Sequence, residues 1–226
     1  MTKEEIEERN LRIIKDDPFY LKNIKDQTEE MCLTAVKMNV HTLEYVEDQT
    51  EEMCLFAVTQ NPITLSYVKN QSNKICLEAV KRFGLVLQYV KDQTKAICLA
   101  AVKQNGFALQ YVKDQTEELC LEAVNSDPNA LQYIKDQTEE VCLQALKNDF
   151  RSVCYINITK RNVAYIVLKV SAQQNIKDKK ILTKIIENFK EDREFIDFYT
   201  KHHLWKYVDF SKVNLNNKLI QHAMTI

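Results

Sequence analysis

The chain is poor in the residues that break helices: among 226 residues there are only 2 glycines and 3 prolines. That scarcity excludes a turn-rich β protein and any flexible glycine- or proline-rich linker, and it points to an all-helical chain. Long apolar runs are missing too. The longest, "VAYIVL" at 163–168, is far short of the roughly 20 residues of a membrane span. The opening "MTKEEIEERN" is too polar for a signal peptide. The expectation is therefore a cytoplasmic protein in a reducing compartment, with no membrane contact. Catalytic signatures are also lacking: there is no GxSxG, no glycine-rich phosphate loop, no HExxH and no CxxC. Of the 4 histidines, His41 and His222 are isolated. His202 and His203 are adjacent, which on a helix turns them about 100° apart and makes a poor metal pair. Neither an enzyme nor a cofactor is expected.

What the chain has in abundance is one phrase. Cys32, Cys54, Cys76, Cys98, Cys120 and Cys142 recur at a step of 22 residues, without insertion. Gln27 through Gln137, Leu33 through Leu143, Ala35 through Ala145 and Tyr45 through Tyr155 keep the same step. A worn copy, "IEERNLRIIKDDPFYLKNIKD" at 6–26, precedes them with Asn10 in place of cysteine, and a decaying one, "KRNVAYIVLKV" at 160–170, follows. A fixed period of this length is the signature of a stacked repeat architecture.

Each unit reads as two short helices. Helix A starts at "QTEE", with Thr28 as N-cap and Glu29 and Glu30 in the first turn, or with Asp26 and Glu29 as a capping box one notch earlier. Its body "MCLTAV" carries a broad apolar arc, which suits burial on two sides. Helix B starts at an Asn or Asp cap, with proline next in Asp17-Pro18, Asn61-Pro62 and Asp127-Pro128. It runs for about seven residues and buries Leu43 and Val46. Gly84 and Gly106 fill the proline column. Helices this short are marginal alone, so the repeats must hold one another. The predicted fold is all-α: an α-solenoid of tandem two-helix repeats over 1–170, comprising an N-terminal cap repeat, about six regular repeats and one degenerate one. Residues 171–226 form a helical C-terminal cap. There "DKKILTKIIENF" and "REFIDFYTKHHLWKYV" are amphipathic, and "NLNNKLIQHAM" reads as a last helix.

The phrase "YVKDQTEELCLEAVNSDPNALQYIKDQTEE" resembles the short tandem repeats of giant DNA viruses of amoebae, the mimivirus type, a family filed as a domain of unknown function. The shared columns are Lys/Asp-Gln-Thr-Glu-Glu, then Cys-Leu-x-Ala-Val-Lys-x-Asn, then Ala-Leu-Gln-Tyr, and they cover roughly residues 6–158. The resemblance implies a viral protein acting in a host cytoplasm. It carries no activity and no catalytic residue.

The cysteine ladder (Cys32, Cys54, Cys76, Cys98, Cys120, Cys142) is read as structural. Neighbouring copies of helix A should lie about 8–10 Å apart. A disulfide needs Cα atoms within about 4.4–6.8 Å, and zinc needs several ligand atoms within about 2.3 Å. One thiol per repeat meets neither demand and packs as a small hydrophobe. A tyrosine ring of the Tyr45 column is expected to lie along the inter-repeat groove with its hydroxyl in water. Leu99 is expected to be core, with Leu99→Ala costing roughly 2–5 kcal/mol.

Function is sought where the repeat varies. One column reads Thr34, Phe56, Glu78, Ala100, Glu122, Gln144, and the column four residues on reads Met38, Gln60, Arg82, Gln104, Ser126, Asn148. A fixed frame with varied surface suits a protein–protein interaction scaffold. Thr34, Phe56, Glu78, Arg82, Gln104, Glu122 and Gln144 are the candidate contacts with a protein partner, and the chain itself is expected to be a monomer. Phe56 and Arg82 are favoured hot-spot types. A structural spacer or particle component is the alternative. Nucleic-acid binding ranks third, because the net charge of −1 divides into −7 over residues 1–158 and +6 over 159–226. An acidic body opposes phosphate binding and leaves only the basic C-terminal part to serve it.

Overall fold

The computed structural model describes residues 2–175, 178–189, 191–209 and 213. The expected helix "NLNNKLIQHAM" and His222 lie outside the described residues. Among these residues there are helices and no strands, so the protein is an all-α repeat protein. By contact density the chain divides into two compact units, Met1–Asp127 and Pro128–Ile226.

In the first unit, α-helices alternate with 3-10 helices: α1 (Lys3–Asp16), η1 (Pro18–Asn23), α2 (Glu29–Met38), η2 (Val40–Tyr45), α3 (Glu51–Gln60), η3 (Pro62–Tyr67), α4 (Asn73–Arg82), η4 (Gly84–Tyr89), α5 (Lys95–Gln104), η5 (Gly106–Tyr111) and α6 (Glu117–Ser126). Each α-helix packs on the next α-helix, and each 3-10 helix on the next 3-10 helix. The second unit holds η6 (Pro128–Tyr133), α7 (Glu139–Asn148), η7 (Phe150–Tyr155), α8 (Arg161–Gln173), α9 (Lys179–Asn188), α10 (Arg193–Lys201) and η8 (Trp205–Tyr207).

Helix A is built as its sequence suggests. Thr28, Thr50, Ser72, Thr94, Thr116 and Thr138 are the N-caps, each side chain accepting the backbone N–H three residues on. This decides for Thr28 over Asp26. The capping box falls instead at α1, between Thr2 and Glu5. In every copy the inward arc is the same: Met31, Cys32, Ala35 and Val36 of α2 are buried, as are their counterparts in α3 to α7.

Helix B, expected as a short helix of about seven residues, is a six-residue 3-10 helix. Its bonds run from residue i+3 to i, as from the Thr42 N–H to the Asn39 carbonyl (3.0 Å) and from the Val46 N–H to the Leu43 carbonyl (3.3 Å). Runs this long are uncommon, because the tight turn strains the hydrogen bonds. At three residues per turn, Leu43 and Val46 stack on one line, and both are fully buried. The Asn/Asp caps hold the start. Asp17, Asn39, Asn61, Asn105 and Asp149 each accept the N–H two residues on. Phe83 stands in this column and supplies no cap. Separately, the Gly84 N–H donates to Gln104 Oε1 of the next repeat (2.6 Å).

The two glycines have a packing cause. A Cβ on Gly84 would lie 2.4 Å from the Ala101 carbonyl oxygen, and one on Gly106 would lie 2.5 Å from that of Ala123. A backbone approach this close admits only glycine.

The leucine column is a correction. Leu33, Leu55, Leu77, Leu99, Leu121 and Leu143 are half-buried. On the helical wheel they fall beside the exposed Lys37 column, at the edge of the buried arc. The deep leucines belong to helix B: Leu43, Leu65, Leu87, Leu109 and Leu131 are 0% exposed. Leu87→Ala is therefore expected to cost roughly 2–5 kcal/mol, and Leu99→Ala less than about 2. Paired urea-unfolding curves check the order. Equal costs would contradict it.

The second unit closes on its own core of Leu182, Ile185, Ile186, Phe195, Ile196 and Tyr199. Tyr199 donates its hydroxyl to the Leu182 carbonyl (2.5 Å). The amphipathic stretch at 193–208 is not one helix. α10 stops at Lys201, and His203 takes a left-handed conformation (φ 51°) before η8.

Candidate interaction surface

The recurring side chains form a lattice of backbone clamps. Gln49 Nε2 donates to the Tyr67 carbonyl (2.8 Å) of the next repeat and to the Leu43 carbonyl (2.9 Å) of its own, while its Oε1 accepts the Lys69 N–H (2.8 Å). Gln27 and Gln71 repeat all three bonds. Gln93 grips the Tyr111 carbonyl (2.8 Å) and the Lys113 N–H (3.0 Å). In the second unit Gln137 does the same with the Tyr155 carbonyl and the Asn157 N–H, both at 2.8 Å. A primary carboxamide carries a donor and an acceptor side by side. It can meet a carbonyl and the N–H two residues on, which a carboxylate cannot.

The cysteine belongs to the same lattice. The thiols of Cys32, Cys54, Cys76 and Cys98 point at Oε1 of Gln27, Gln49, Gln71 and Gln93, at 3.4–3.8 Å. All six ladder cysteines are free and buried, and Cys154 is free and exposed. Burial pushes the Cys32, Cys54 and Cys142 thiols up to about 11, with nearby carboxylates adding to the shift at Cys32 and Cys54. Cys76 and Cys98 are raised for the same first cause. These thiols stay protonated near neutral pH, so they are poor nucleophiles and poor metal ligands. Among the described residues, no group of three or more His, Cys, Asp or Glu side chains is placed to hold a metal.

A further ladder links successive loops. Lys69 Nζ donates to the Glu47 carbonyl (2.9 Å), Lys91 Nζ to that of Lys69 (2.7 Å) and Lys113 Nζ to that of Lys91 (2.9 Å). The "KDQTEE" stretch is therefore more than caps and solvated surface. The 22-residue recurrence of Gln27 through Gln137, and of Lys69 through Lys135, is the sequence signal of this role. The tyrosines of the Tyr45 column are half-buried, apart from the exposed Tyr155. Two rings of this column meet the preceding 3-10 helix edge-on, Tyr45 against Phe19 and Tyr67 against His41.

What remains for a partner is the varied face. The column of Thr34, Phe56, Glu78, Ala100, Glu122 and Gln144 is half-buried in every copy, and the column of Met38, Gln60, Arg82, Gln104, Ser126 and Asn148 is exposed. Thr34, Phe56, Glu78, Arg82, Gln104 and Glu122 lie on the adjacent helices α2 to α6 of the first unit, while Gln144 lies in the second. Arg82 pairs with Glu78 (2.7 Å) across one turn of α4. Two members of the exposed column serve the fold: Gln104 accepts the Gly84 N–H, and Ser126 Oγ accepts that of Gly106 (3.1 Å). Gln144 donates to Asn148 Oδ1 (3.0 Å). Within the basic C-terminal part Arg161 binds Asp192 and Glu194 (both 2.6 Å), and Lys160 reaches Asp136 outside it (2.7 Å).

Fold and lattice together define a tandem helical-repeat protein. Residues 74–115, nearly two periods ending on Gln115, match the family described as a domain of unknown function (DUF4116). No curated protein matches the chain. No solved structure matches it. Among the described residues no helix is long and apolar enough to cross a membrane.

Proposed function

We propose that the chain is a non-enzymatic protein–protein interaction scaffold that binds through the varied columns of helix A. The observation that carries this reading is the division of labour within the repeat. The columns that recur cap, clamp or fill the fold. The columns that vary lie at the surface of adjacent helices, and they place Phe56 and the Glu78–Arg82 pair one repeat apart. Phenylalanine and arginine on a rigid frame are the kind of side chains that anchor interfaces. The giant-virus resemblance extends the proposal to a partner in a host cytoplasm.

The test is affinity capture from host extract with the intact chain, followed by binding assays with Phe56→Ala and Arg82→Ala. Arg82→Ala is expected to change stability by less than about 0.5 kcal/mol, because exposed ion pairs contribute little. Phe56→Ala should cost about 1 kcal/mol, because the ring is half covered. Each should weaken binding by at least about 1 kcal/mol. Unchanged binding in both variants would overturn the site. A chain that captures nothing would favour the spacer reading.

A further inference from the structure

The carboxamide clamp has an unfilled position at the N-terminal edge of the first unit. In four successive junctions, Gln27, Gln49, Gln71 and Gln93 grip a carbonyl and an N–H of the following loop. One period before Tyr45 and Glu47, the matching groups are the Asn23 carbonyl and the Lys25 N–H. The position due to supply their glutamine is residue 5, and it is Glu5. α1 begins four residues earlier in the repeat than α2 does, so residues that would form the extended loop are helical. Glu5 is turned back, its Oε2 accepting the Thr2 N–H (2.8 Å). Among the described residues no side chain bonds the Asn23 carbonyl or the Lys25 N–H.

A groove of about 680 Å³ opens there, with Lys3, Asn10, Tyr20, Asn23, Lys25 and Asp26 among its walls. It has a filled counterpart four repeats on. The cleft of about 430 Å³ beside Lys91, Cys98, Lys113 and Asp114 occupies the same columns and has Gln93 in its lining. Asn10 adds an independent observation. It is 7% exposed, it stands where other repeats place the cysteine that meets the glutamine Oε1, and its side chain has no hydrogen bond among the described residues. An amide N–H there can donate to an incoming Oε1, as the thiol does elsewhere.

We propose that this groove receives a glutamine side chain on an extended segment of a partner protein, continuing the inter-repeat interface by one step. A primary carboxamide offers the donor for Asn23 and the acceptor for Lys25 side by side, the pairing that fills this position in the other repeats. A separate partner segment fits better than a second folded copy, because the copy's clamp glutamines Gln27, Gln49, Gln71, Gln93 and Gln137 are already engaged. The groove lies apart from the varied columns, so the proposal stands or falls independently of them.

The experiment is an NMR titration of the intact ¹⁵N-labelled chain with the capped peptide YVKDQTE. Shifts concentrated at the Lys25 and Asp26 amides are expected. Affinity should fall at least about tenfold when the peptide glutamine is replaced by glutamate, the factor that one lost hydrogen bond of about 1.4 kcal/mol gives. Asn10→Ala in the chain should weaken binding several-fold while leaving the other amide signals in place. Absence of shifts at residues 23–26, or equal binding of the glutamate peptide, would overturn the proposal. So would a concentration-dependent rise in mass that the peptide reverses, which would place a second copy in the groove.

Discussion

Gln71→Glu is expected to destabilise the chain by roughly 3 kcal/mol or more at pH 7, although it changes one atom. Gln71 holds two carbonyls, of Tyr89 (2.8 Å) and Leu65 (3.3 Å), through Nε2, and the Lys91 N–H (2.9 Å) through Oε1. A carboxylate keeps the bond to Lys91 but sets an oxygen against both carbonyls. Two half-buried acceptors then lose their donor and gain a repulsion. Each group left unsatisfied costs about 1–3 kcal/mol. Gln71→Ala should cost a comparable amount by removing the clamp outright. The two variants separate with pH: towards pH 4 the glutamate takes up a proton and regains a donor, so its deficit relative to wild type should shrink, while that of alanine stays fixed. Urea midpoints at pH 4 and 7 measure both. Equal stability of wild type and Gln71→Glu at pH 7 would mean that the clamp contributes nothing.

This clamp was the part of the fold least legible in the sequence. Hydrophobic periodicity located helix A, its caps and its buried face, because those follow from spacing alone. It could not distinguish an α-helix from a 3-10 helix over residues 40–45, since Leu43 and Val46 at i,i+3 suit both. It placed Leu99 in the core because leucine is apolar, whereas the wheel leaves that column at the edge of the buried arc. Glutamine carries no periodic signal of its own in a hydrophobic pattern. Its role depends on a carbonyl and an N–H that are distant in sequence and become neighbours only when two repeats stack. Gly84 and Gly106 are similar cases: their cause is a carbonyl of the next repeat, 2.4 and 2.5 Å from a notional Cβ. The candidate surface was legible as the set of columns that vary, but the bond between Gln104 and Gly84 was not, because it joins a side chain to a backbone N–H that only stacking brings together.

The lattice also explains why the phrase recurs down to the cysteine. Each repeat offers the next the same carbonyl and N–H, so each must present the same amide, and the residue facing that amide must be small, apolar and able to donate weakly. Alanine lacks the donor. Serine carries a more polar hydroxyl into a buried site, with the desolvation that entails. The thiol combines modest polarity with good packing.

That buried thiol makes the protein sensitive to alkali. Cys32 and Cys54 in the first unit and Cys142 in the second have folded values near 11 against an ordinary 9.0, because burial disfavours the thiolate. For an acid whose folded value is raised, the unfolded chain gives up its proton first. Stability from these groups is therefore intact below about pH 9, declines between 9 and 11, and is flat above. Two units correspond to about 2–3 kcal/mol per thiol. Tyrosines and lysines titrate over the same range, so the informative quantity is a difference. Cys54→Ala should start less stable than wild type and lose less between pH 9 and 11, closing the gap by about 2 kcal/mol. Urea midpoints at pH 8, 9, 10 and 11 follow it, with thiol titration alongside to show Cys54 unreactive in the native state and reactive in denaturant. Parallel pH profiles for the two proteins would mean that the ladder thiol ionises in place, and that its burial does not resist the charge.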